Sequence, residues 1–472
     1  MRLTRRQFVA GGAAALGAAG IYELVDRFAT APKRQTTRVL PSEQHVLGRP
    51  QVIVDNGVEV VVPPLHHEVV TAVLRVEPTK TALEEARATL SETLQELDAR
   101  YEPAPKGVSI SVGWGLPYFD RYVPGPAGEH LPVDLRASKA AGKEVRGIIG
   151  AIRFPSDPEE LRLEDNDLAI FLRSDSVDFI ADASSALFDE TKGLFSITSI
   201  RRGFAGGGFD GSQSLPKQMA MAAGIGGAEL IPDTAELFLG FTSTQKAGLG
   251  PPGIANFETL PGYTDQFPDG YFLGGTAMHL SHLFEDVEAW YLNFDYPERV
   301  STTFKPGLDV EEGTQTVPQD AEDADSSKAV EQDAERYDAV GHSSAMQPAS
   351  RLQADVTGND GIVYPKGTAI PQRADFNTLD NPFFWTAHVG RDEYVDTPAA
   401  GLHFVVFNPT SDDFRRNRLA MDGVMPNGTK LGFGRGAIGR GFNSILKTTH
   451  RQNFLVPPRA RRSFPLSEIQ GR

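Results

Sequence analysis

The pattern of apolar and polar positions predicts two similar halves. The run His67 to Val76 (HEVVTAVLRV) reads as a strand, and Thr79 caps a helix-period stretch through Tyr101 in which Leu83, Ala86, Leu90, Leu94 and Leu97 recur at helical spacing. Val108 to Gly113 alternates as a second strand. Ile148 to Phe154 and Asp167 to Arg173 read as two more, followed by a helix from Ser176 to Phe188 and a strand from Leu194 to Ile200. The order β-α-β-β-α-β is that of a ferredoxin-like unit. A second unit is predicted from strands at Glu236–Phe241, Gly270–Leu280 and Gly401–Phe407, with helices at Leu283–Leu292 and Ser411–Met421. Its middle is interrupted by residues 308–336, an acidic stretch poor in large apolar side chains that reads as a solvated loop binding nothing.

The first residues carry a different signal. Thr4-Arg5-Arg6-Gln7-Phe8-Val9, followed by a Gly/Ala-rich stretch from Ala10 to Ile21 too short to span a bilayer, resembles a twin-arginine export signal. That pathway carries folded proteins, often ones that acquire a cofactor first. The implied partner is the twin-arginine translocase, and the implied location is extracellular or at the cell envelope. Ala29-Thr30-Ala31 offers small residues for cleavage but Pro32 follows, so removal and retention as an anchor both stay open. The expected organisation is a signal segment at 1–35, modules at 36–225 and 226–425, and a Gly-rich then basic tail at 426–472.

Composition narrows the chemistry. The 472 residues contain no cysteine, which removes iron–sulfur clusters, thiolate haem ligation, cysteine nucleophiles and disulfides. A formal charge of −16 argues against a nucleic-acid partner. The 13 Lys against 33 Arg tie the acidity to lysine depletion, the pattern of a halophilic protein whose carboxylates keep it hydrated. Solubility that holds as KCl or NaCl rises to molar levels is the expected result, and a fall would return the chain to the ordinary acidic class. G-x-S-x-G, Walker A, H-E-x-x-H and EF-hand patterns are absent from the sequence.

Four segments in order, VSISVGWGLPYFDRY (Val108 to Tyr122), NDLAIFLRSDSVDFIADASSALF (Asn166 to Phe188), DGYFLGGTAMHLSHLFEDVEAWY (Asp269 to Tyr291) and AGLHFVVFNPTSDDF (Ala400 to Phe414), resemble the dye-decolorizing peroxidase superfamily. The resemblance implies an α+β fold of two ferredoxin-like modules with antiparallel sheets, arranged like a dimeric α+β barrel. It also implies haem b as cofactor, with hydrogen peroxide reduced and an organic donor oxidised. Such chemistry needs an axial base on iron, a distal acid/base and a cation for developing charge.

By position, the resemblance implies His342 as axial metal ligand, with His279, His282 and His388 as competitors, and Arg373 as the distal cation that also meets the cofactor. His66-His67 open a strand and point to opposite faces, which argues against joint metal binding. The distal Asp has two alignments. Gly207-Gly208-Phe209-Asp210-Gly211 fits the family's Gly-x-x-Asp-Gly and offers Asp210. The segment from Leu239 to Thr244 lies nearer the Gly274-Gly275-Thr276 strand and puts Ser243 or Thr244 there. The first gives an exported haem peroxidase. The second gives a haem-binding or iron-handling relative without the catalytic Asp, since a hydroxyl does not shuttle a proton as a carboxylate does.

Overall fold

The computed structural model describes residues 21–31, 41–48, 51–55, 58–191, 193–206, 213–241, 253–308, 327–382, 397–432 and 440–470. In chain order, α1 (Val25–Phe28) precedes β1 (His66–Leu74), α2 (Lys80–Arg100), β2 (Ser109–Gly115), β3 (Leu168–Ser174), α3 (Val177–Ser185) and β4 (Phe195–Phe204). These strands lie side by side in the order β4-β1-β3-β2, all antiparallel. The five predicted apolar positions of α2, Leu83 through Leu97, are its buried ones. They pack with Ile180 and Ala183 of α3 against Ala72, Ile110, Val112, Ile170 and Leu172 on the outer face of the sheet.

The second half supplies β5 (Thr276–Glu285), α4 (Val287–Asn293), α5 (Tyr296–Thr303), α6 (Ser327–Tyr337), α7 (His342–Ser350), β6 (Gln372–Arg373), β7 (Phe376–Thr378), β8 (Gly401–Asn408), α8 (Ser411–Met421) and β9 (Leu446–Val456). β5 pairs with β8 on one side and β9 on the other. β9 reaches β2 through Phe454 and Leu455, and β7 reaches β4 through Asn377 opposite Phe204. The ladders therefore run β8-β5-β9-β2-β3-β1-β4-β7 and back to β8. The halves close into a barrel within a ten-stranded sheet. Its interior holds Val69, Phe171, Met278, Leu280, Phe376, Val405, Phe407 and Phe454. The fold is α+β, as expected.

Four expectations need correction. Ile148–Phe154 forms no strand, because its carbonyls are taken by side chains: Asn453 Nδ2 donates to Ile149 O and Arg451 Nη1 to Ile152 O, both at 2.9 Å. Glu236–Phe241 is turns for the same reason, with Trp290 Nε1 donating to Leu239 O and Tyr291 Oη to Phe238 O, and with Gly240 at φ 93°. Residues 271–274 are turn, and the strand runs from Thr276 on to Glu285, so the helix begins only at Val287. The acidic stretch ends in a helix, α6, whose Val330 is buried with Ala345 and Ala420; residues 309–326 lie outside the described residues.

The basic tail supplies β9, which lies between β5 and β2. Arg451 of β9 is 1% exposed and forms a two-bond pair with the equally buried Asp157, at 2.5 and 2.9 Å.

Candidate functional site

β5, β8 and the β6–β7 strand share an outer face, opposite the barrel interior. Register puts His279, Ser281, Leu283 and Glu285 of β5 on it, beside Leu402, Phe404 and Val406 of β8. Arg373 pairs with Val406 and Phe376 with His403, which places Arg373 and Asp375 on this same outer face. α8 covers it, Phe414 stacking on His279 with ring centroids 3.3 Å apart, and α7 packs against α8. Leu283, Leu402, Phe404 and Phe414 are nevertheless only half-buried, so solvent reaches this part of the face.

His342 is the first residue of α7. Gly341 before it has no room for a Cβ, which would lie on the Phe304 carbonyl. This close approach fixes where α7 starts. The His342 ring packs edge-on against Phe442, centroids 4.8 Å apart, and lines a cavity of about 240 Å³ with Ser301, Thr302, Asp338 and Arg440. Its Nδ1 is buried without a hydrogen-bond partner among the described residues. Burial, then the Arg373 and Arg418 guanidinium groups, push its pKa down to about 3, so the ring is neutral at physiological pH. His342 and Arg373, assigned from sequence to one site, thus lie within electrostatic reach of each other. Asp210, Ser243, Thr244 and His388 lie outside the described residues.

α5, which brings Ser301 and Thr302 to this cavity, starts with a capping box: Asp295 accepts from the Glu298 N–H and Glu298 from the Asp295 N–H, each at 2.9 Å. Asp295→Ala should cost about 1 kcal/mol, read by urea denaturation.

His279 and His282 share no face, because the segment is strand. His279 Nδ1 meets Asn453 Oδ1 and its Nε2 meets Ser281 Oγ, both at 2.6 Å, as polar packing predicts. His282 points into the barrel, where sequence reasoning missed a row of imidazoles. His403 and His450 flank it on the neighbouring strands, with centroids 4.3 and 6.3 Å away. His403 Nε2 lies 3.2 Å from Asp380 Oδ2. Among the described residues no group of three His, Asp or Glu is arranged to hold a metal ion.

Glu285 was also missed. It is buried, its Oε2 has no partner among the described residues, and burial with the nearby Asp375 pushes its pKa up to about 8. No sequence signal marks it among 62 acidic residues.

These groups give stability a pH dependence of known sign. His279, His282 and His403 are held well below the ordinary value by burial, and His450 is pushed down to about 4. Below about pH 6.5 the unfolded chain takes up protons that the folded core refuses, so stability should fall from pH 7 towards pH 4. Glu285 acts oppositely: its neutral form is favoured in the fold, and that contribution is lost as pH rises through about 8. Relative to the parent chain, Glu285→Gln should therefore gain stability between pH 5 and 8; denaturation midpoints from pH 4 to 8 measure both slopes.

A family model described as a family of unknown function, DUF7405, matches residues 64–458. A search of curated proteins finds no match. Among solved structures the chain is similar to a putative DyP-type peroxidase from Shewanella oneidensis, at 14% identity and TM-score 0.49, over 88% of this chain and 97% of that one. It is similar to a dye-decolorizing peroxidase from Bacteroides thetaiotaomicron at 13% and 0.48, over 91% and 100%. It is also similar to a DypB variant from Rhodococcus jostii, solved in complex with haem, at 13% and 0.45, over 87% and 96%.

Proposed function

We propose, for a chain that belongs to the DUF7405 family of unknown function, that it is a haem-binding protein of peroxidase type, exported in folded form by the twin-arginine pathway. The supporting observation is the His342 ring: neutral, facing a cavity, with a buried and unpartnered Nδ1 and with Arg373 in electrostatic reach. A nitrogen donor must be unprotonated to bind a metal, a condition that neutral His342 meets, and His342 would hold a haem iron from this cavity. The cavity itself, at about 240 Å³, lies below the ~300–1,000 Å³ of pockets that enclose whole drug-sized ligands.

A bound haem supplies electrons for reducing hydrogen peroxide and takes them back from an organic donor. The chain's own contribution is separate. Neutral His342 offers a lone pair without first losing a proton. Arg373 supplies a permanent positive charge to a carboxylate or to negative charge developing on oxygen. Phe404, Leu402 and Leu283 are half-buried on the sheet face that also carries Arg373. Asp210 as proton carrier belongs to this reading, and Ser243 or Thr244 in its place gives the alternative, a haem-binding or iron-handling protein.

Purified chain loaded with haem b tests both. A Soret band with peroxide-dependent dye oxidation that Asp210→Asn abolishes supports the peroxidase. A Soret band without oxidation selects the alternative, and no band rejects haem binding.

A further inference from the structure

The residues just after the Gly/Ala-rich stretch are built into the folded body. Tyr22 is buried; its hydroxyl donates to Asp380 Oδ1 at 2.9 Å and accepts the Leu379 N–H at 3.0 Å, with Thr378 Oγ1 at 3.1 Å. Val25 is fully buried in a cluster with Phe204, Leu215, Met219, Phe238 and Leu379, and Ile21, Leu24 and Phe28 pack around its edge. Asp26 Oδ1 lies 2.8 Å from Nε2 of the buried His66 at the start of β1.

Each contact lands where the barrel closes. Asp380 follows β7, and its Oδ2 accepts the Arg202 N–H of β4 at 2.7 Å while meeting His403 Nε2 of β8. Thr378 Oγ1 donates to Arg202 O at 2.7 Å. The ladder between β4 and β7 is a single residue pair, Asn377 with Phe204, so these side chains strengthen the thinnest join of the ring. Tyr22 sits over that join, holding both Asp380 and the Leu379 N–H. Segments near a chain terminus are poorly ordered unless tied down, and residues 21–31 are tied by apolar burial and side-chain hydrogen bonds together.

We infer that residues 21–31 are a permanent clip on the β4–β7 join, so that the mature protein keeps them and any leader cleavage falls before Ile21 rather than after Ala31. A cut after Ala31 would leave the clip attached only by side-chain contacts. Its loss would expose the apolar surface around Phe204, Leu215 and Met219 and strip a donor from the buried Asp380 carboxyl. The Ala29-Thr30-Ala31 triplet is therefore not a processing site, although its small residues suit one.

The inference rests on the export reading only for its setting, and its tests separate the two. N-terminal sequencing and intact mass of the full chain, expressed in cells with the twin-arginine pathway, should give a first residue at or before Ile21 in the exported fraction. A mature chain starting at Pro32 overturns the inference. Chain found only in the cytosol with its leader intact rejects export, and the clip is then decided on that same purified full-length protein. Trypsin should cut after Arg27 slowly in the parent, and at least tenfold faster in Tyr22→Phe and Val25→Asp, both with Tm lowered by several degrees. Parent-like Tm and cleavage rates in both variants overturn the clip.

Discussion

Chain carrying His342→Ala should show no Soret band when mixed with haem b at micromolar concentrations, while its far-ultraviolet circular dichroism stays that of the parent. The ring touches the cavity and Phe442 rather than the barrel core, so its loss removes a donor and leaves the ladders intact. The space vacated at position 342 adjoins the existing cavity of about 240 Å³, which suits a small aromatic base. Added imidazole should therefore restore the band to His342→Ala, and His342→Gln, which fills the space without a ring nitrogen, should resist rescue. A parent-like spectrum in His342→Ala would remove this residue from the axial position.

The largest stability effect should come from Asp157. Its carboxylate accepts two bonds from Arg451, lies 3.5 Å from Arg418 Nη2 and accepts the Phe154 N–H at 2.6 Å, all out of solvent. Asp157→Ala leaves the Arg451 guanidinium in the interior without its carboxylate, a change that costs about 3–5 kcal/mol. Replacing both partners with apolar residues of similar size, as in Asp157→Leu with Arg451→Met, should recover most of that loss, because the cost is the uncompensated charge. Urea denaturation of the parent, Asp157→Leu, Arg451→Met and the double variant gives the coupling energy directly.

The same pair shows where the sequence was legible and where it was not. β1, α2, β3 and α3 announce themselves because each buries one face against a neighbour, and period 2 or 3.6 survives in the letters. β9 does not: LKTTHRQNFLV looks like a basic, polar tail, and its polar side chains are matched by partners far away in the chain. Arg451 is met by Asp157, Gln452 by Asn166 and Asn453 by His279. Glu236–Phe241 fails in the reverse direction, an apolar run whose carbonyls are claimed by Trp290 and Tyr291.

His342 and Arg373 are candidates offered by their place in the order of segments. Nothing in the sequence singles out Glu285 or the His282–His403–His450 row, since their character comes from burial and from cross-strand register.

Because β9 is the strand that joins the two halves on one side, the ring cannot close before residues 446–456 are made. Until those residues leave the ribosome, β2 and β5 each present an unpaired edge, the state in which sheets recruit other chains. Closure also pairs Leu455 with Trp114, across more than 300 residues, and such distant contacts form slowly. Closure therefore waits on β9, and until then the nascent chain depends on its own charge repulsion, or on a chaperone, to stay single.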